Sequence, residues 1–83
     1  MPTVFRIGPY RFYFYSHEPN EPNEPVHIHV DRDRLSAKFW LQPVELARNI
    51  GFPPKELRKI RNIILENEQR ILEVWNGYFG IGG

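Results

Sequence analysis

The hydrophobic period of this chain changes at Pro53-Pro54. Before the two prolines, apolar and polar residues alternate in short runs rich in aromatic and β-branched side chains; after them, apolar residues recur at steps of three and four. Period two belongs to a strand and period 3.6 to a helix, so the chain is restricted to a sheet followed by helix. "TVFRI" (Thr3 to Ile7) has strand composition, Gly8-Pro9 marks a turn, and "YRFYFY" places Tyr10, Phe12 and Phe14 on one face with Arg11, Tyr13 and Tyr15 on the other. The prolines at 19, 22 and 25 lack the amide donor a central ladder needs, so Ser16 to Pro25 reads as an exposed loop.

Strands are expected over 3–7, 10–15, 26–31 and 35–41. A short fifth edge strand over 44–49 competes with two helical turns in "VELARNI" and is the preferred reading. Proline suits the first helical position and Glu56 the first turn, and the stripe Leu57, Ile60, Ile64, Ile71, Trp75 and Tyr78 predicts one helix over 54–79. Glycines at 80, 82 and 83 end it in a floppy tail. The expected fold is α+β: an antiparallel sheet of four to five strands, with one long C-terminal amphipathic helix packed on one face, in a single domain spanning 1–83.

An 83-residue chain buries barely enough surface to fold alone and leans readily on a partner. It has no cysteine, which excludes disulfides and thiolate metal ligands. The sequence shows neither a transmembrane run nor a signal-peptide pattern, so a cytoplasmic protein with no membrane partner is expected. Eleven basic residues against ten acidic ones leave a net charge of +1, too small to argue for nucleic acid; only the placement of the charges informs.

The stretch "VHIHV" turns Val26, Ile28 and Val30 to one face and His27, His29 and Asp31 to the other. Arg11, Tyr13, Tyr15, Lys38 and Trp40 share the histidine face, a set able to stack on bases, hold phosphates or meet a protein partner. The same pattern also describes the second face of a half-exposed sheet. Two histidines two apart can chelate a metal, but the third ligand would fall to His17 or Asp31, so no metal and no cofactor is expected. Without a metal, a histidine pair can serve as general base and general acid in RNA cleavage through the 2′-hydroxyl. The start of the helix holds Lys55, Arg58, Lys59 and Arg61 against Glu56 alone, opposite to what the macrodipole favours, which suits an acidic partner or a solvated face. Asn67 interrupts the apolar stripe, either as a structural amide or as one aimed at a ligand.

Taken together, "MPTVFRIGPYRFYFYS", "EPVHIHV", "AKFWL", "PVELARNIGF", "ELRKI" and "WNGYFG" resemble the small bacterial family known as domain of unknown function 4160, over nearly the full chain. In that resemblance His27 and His29 match the family's His-x-His position. Val26 stands where the family usually has proline, and Pro53 where a serine often caps the helix. The resemblance implies a toxin-antitoxin-like setting, often labelled transcriptional regulator, with a small cognate protein encoded nearby. It supplies no catalytic residues. The expected function is binding of that partner, of RNA or DNA, or both; the alternative is a metal-independent ribonuclease-type toxin, and a homodimer through the sheet face is a third reading.

Overall fold

The computed structural model describes residues 3–15 and 25–79. The Glu-Pro-Asn loop, with His17, and the glycine tail lie outside the described residues. Five antiparallel strands follow one another as a meander: β1 Thr3–Ile7, β2 Tyr10–Tyr13, β3 His27–Arg32, β4 Leu35–Trp40 and β5 Glu45–Ile50. Strand β2 ends two residues before the expected limit, β3 and β5 each start and end one residue later, and β4 stops one residue earlier. In the first hairpin Ile7 faces Tyr10 across Gly8-Pro9, with Gly8 at φ +56°, a conformation glycine adopts without steric penalty.

One sheet face and the helices close the core. Phe5, Tyr10, Phe12, Phe14, Ile28, Val30, Ala37 and Phe39 pack with Ile60, Ile64, Ile71 and Trp75 from the helical half, as the two periodicities require. Phe14 meets Trp75 edge to face at 5.0 Å between centroids. Gly51, at φ +94°, turns the chain out of β5. That backbone conformation favours glycine, and a Cβ there would also require the Leu35 side chain, whose Cδ2 would stand 2.5 Å away, to shift.

The long helix expected over 54–79 is two helices, α1 Pro54–Glu66 and α2 Glu68–Phe79. The break is Asn67, at φ −118° and ψ 14°, whose backbone N–H reaches both Ile63 O and Ile64 O. Its side-chain Nδ2 donates to Ile63 O at 2.8 Å. The polar residue in the apolar stripe thus caps a carbonyl at the end of α1, and Ile71 N–H reaches Asn67 O at 3.0 Å to start the next helix. No side chain caps the first helix; Pro53 is extended and Pro54 presets the first turn.

Glu56 ties α1 to the sheet. It accepts hydrogen bonds from Tyr10 Oη at 2.8 Å, from Arg32 Nη2 at 2.9 Å and from Arg32 Nε. The Arg32 guanidinium, then Tyr10, hold the Glu56 carboxyl below its ordinary value against the opposing effect of desolvation. A lowered folded-state value means the unfolded chain binds the proton more readily, so this tie is intact above pH 4.5 and is lost as pH falls below it. Acid unfolding followed by circular dichroism is expected to lose its steepest part below pH 4.5 in Glu56→Gln. Ile64, fully buried, is expected to cost about 2–5 kcal/mol when cut to alanine, read from urea midpoints.

Candidate functional site

The sheet face opposite Phe12 and Val30 gathers Arg11 and Tyr13 from β2, His27 and His29 from β3, and Lys38 and Trp40 from β4. The ladder registers do this: Tyr13 lies opposite His29, His29 opposite Lys38, and His27 opposite Trp40. Tyr13 and His29 rings stack at 5.3 Å with 22° between planes, and Tyr15 meets His29 edge to face at 4.5 Å. His27 contacts His29 at 5.2 Å and Trp40 at 5.8 Å, and also reaches Trp75 of α2 at 5.4 Å.

The histidines are more enclosed than strand alternation predicts. His27 is 1% exposed and His29 9%, although both stand opposite the Ile28–Val30 face. Alternation sets which way a side chain leaves the strand; the crossing aromatic rings decide how much water reaches it. His27 Nδ1 lies 2.8 Å from Pro25 O. A carbonyl only accepts, so Nδ1 carries the proton, and in the neutral ring Nε2 is the lone-pair nitrogen. Both imidazoles pack against neighbouring rings, His29 against Tyr13 and Tyr15 and His27 against Trp40 and Trp75. Among the described residues no three or more His, Asp and Glu side chains are gathered as a metal set.

Tyr13 is 3% exposed, and its hydroxyl donates to Asp31 Oδ1 at 3.0 Å. Burial, then hydrogen bonding to Tyr15 and the Asp31 charge, push the phenol well above its ordinary value. The cations lie over the rings. Arg11 Cζ is 4.5 Å from the Tyr13 centroid and Lys38 Nζ 4.6 Å from that of Trp40, while Arg11 Nε also donates to Thr3 Oγ1 at 3.1 Å.

Two further cations complete the face. Arg6 on β1 lies directly opposite Arg11, and Arg48 on β5 directly opposite Lys38. Arg6 was legible, because a two-residue turn at Gly8-Pro9 sets its partner. Arg48 was not: between Lys38 and Phe39 the register slips, leaving Ala47 as an extra residue on β5, and that bulge decides which way Arg48 points.

The remaining candidates lie elsewhere. Lys55, Arg58 and Lys59 are exposed on α1. Lys55 and Lys59 border an open depression of about 350 Å³ with Tyr10, Pro53 and Glu56. Asn67 sits in the helical layer with its amide nitrogen bonded to Ile63. None of the described helices is long and apolar enough to cross a membrane.

Alkaline titration at 295 nm is expected to show Tyr13 ionising after the ordinary tyrosines, and earlier in Asp31→Asn. Because its folded value is raised, the stability Tyr13 contributes is complete below pH 10 and declines as pH rises above it.

Residues 10–76 match the family model described as Domain of unknown function (DUF4160), a span that includes this face apart from its β1 residues. No curated protein and no solved structure matches the chain.

Proposed function

Starting from a chain that belongs to the DUF4160 family, whose description names no activity, we propose that it is the binding component of a cytoplasmic, toxin-antitoxin-like bacterial module. It holds an acidic surface of a small cognate protein on the basic sheet face. The observation that carries this reading is the pair of like-charge oppositions, Arg6 against Arg11 and Lys38 against Arg48.

Like charges directly opposite on neighbouring strands are destabilising, by an amount on the order of 0.2–1 kcal/mol per pair. Asp31, directly opposite Arg11 on its other side, offsets part of the first pair, and the like-charge oppositions themselves add nothing to folding. An anionic partner would reverse the sign of the term by neutralising both pairs at once. The rings beneath support this use: one cation of each pair lies over an aromatic ring, Arg11 over Tyr13 and Lys38 over Trp40. A protein partner is favoured over nucleic acid because Tyr13 is buried against His29 and its neighbours, which denies a base the stacking surface that single-strand binders use.

Arg6→Gln is expected to raise stability by about 0.2–1 kcal/mol while weakening the complex with the product of the neighbouring gene. The double variant Arg11→Glu/Arg48→Glu, folded by circular dichroism, is expected to lose that complex by at least about tenfold and to flatten its salt dependence. Light scattering and titration calorimetry read both. Unchanged binding in the folded double variant overturns the reading, as does a wild-type protein that binds neither the neighbour nor an oligonucleotide at low salt. Binding of the oligonucleotide alone assigns the face to nucleic acid instead.

A further inference from the structure

Strand β5 is the last in the sheet, so among the described residues its outer edge pairs with no strand. Such an edge presents a row of N–H and C=O groups ready to pair with another chain. Five of its six residues are exposed and Ala47 is half-buried. The described part of the chain has three exposed large apolar side chains, and two of them, Leu46 at 44% and Ile50 at 49%, belong to this strand. The opposite edge differs, since β1 turns Phe5 into the core and exposes no large apolar residue.

Two features guard the β5 edge. The bulge at Ala47 divides the ladder into short pieces, Glu45–Leu46 and Arg48–Ile50, so main-chain pairing alone is weak. Arg48, the one charge between Leu46 and Ile50, repels an identical edge: two copies meeting antiparallel about this residue would oppose Arg48 to itself. Both obstacles yield to one kind of visitor. A strand with a carboxylate opposite Arg48 adds ion pairing to the broken ladder and relieves the opposition between Lys38 and Arg48.

We propose that β5 receives an extended acidic segment of the partner by strand addition, making a sixth strand whose apolar face continues the Leu46 side of the sheet and whose carboxylates meet Arg48 on the other side. This rests on the reading that the basic sheet face binds an acidic protein, and it says where and in what conformation that protein first engages. Main-chain pairing provides affinity in this mode and the charge provides selection.

The probe is a nine-residue peptide alternating valine and glutamate, titrated into the full chain while backbone amides are followed by NMR. Expected are slowed hydrogen exchange at amides within Leu46–Ile50, binding at least about tenfold tighter than a valine–lysine peptide of the same length, and reversal of that preference in Arg48→Glu. A glutamate peptide N-methylated at alternate residues keeps its charge but loses ladder donors, and is expected to lose the binding. Equal binding of the methylated peptide overturns strand addition while leaving the basic-face reading standing. No protection within β5 at millimolar peptide also overturns it. Protection of β5 in the protein alone, rising with concentration, assigns the edge to a second copy and overturns the acidic-partner proposal. If the parent peptide fails while the neighbouring protein still binds through Arg11 and Arg48, the edge proposal fails and the proposed function survives.

Discussion

The carboxylate of Glu56 takes hydrogen bonds from a tyrosine on β2 and an arginine on β3, and so sets where the first turn of α1 lies on the sheet. With no side-chain cap at Pro53, the helix start is placed by this tie and by proline geometry. From that turn the steps to Ile60 and Ile64 follow over the strands, and Asn67 ends α1 before Ile71 and Trp75 resume the packing. A carboxylate near a helix N-terminus is favourable in its own right. Bonded to two strands, it also resolves the excess of cations at the start of α1, because Glu56 anchors while Lys55, Arg58 and Lys59 stay in water.

Covering one sheet face commits the other to a different solution. The helices lie mainly on the Phe12 and Phe14 side, with Trp75 also reaching His27, and a sheet rich in tyrosine, tryptophan and histidine cannot leave its second face wholly wet without losing the burial a small domain needs. Tyr13, His27 and His29 therefore become buried under one another and under their neighbours. Arg11 and Lys38 complete the cover with ring contacts rather than with apolar side chains. The consequence is an aromatic face on which Arg6, Arg11, Lys38 and Arg48 outnumber Asp31 and Glu45.

Much of this was legible in the residues. Alternation in "YRFYFY" and "VHIHV" assigns Phe12, Phe14, Ile28 and Val30 to the helix side, and the structure places them in the core. The ring neighbours of His29 likewise follow from strand parity alone. Three features escaped for physical reasons. The helix break is invisible to periodicity because Asn67 adds only one turn-like residue, after which Ile71 and Trp75 still fall on the buried side. The burial of the histidines depends on how rings cross, which parity does not encode. The bulge at Ala47 has no local signature; it arises from pairing β5 with β4.

That bulge has a bearing on what kind of surface this is. Had β5 remained in simple register, every second residue from Glu45 would share a face, and Glu45, Ala47 and Asn49 would stand together opposite Leu46, Arg48 and Ile50. With the slip, Glu45 lies across from Trp40 and Arg48 across from Lys38, so both charged residues of β5 join the aromatic face while Asn49 turns to bond Phe52 at the entrance to α1. One inserted residue thus recruits Arg48 to the basic face and frees Asn49 to brace the sheet-to-helix turn. The pairs Arg6–Arg11 and Lys38–Arg48 then stand toward opposite edges of the sheet in neighbouring cross-strand rows, with Asp31 beside Arg11 and His29 beside Lys38 on the strand between. A small anion would touch one pair. An extended acidic surface meets both like-charge pairs together, and only such a ligand offsets both repulsions in a single encounter.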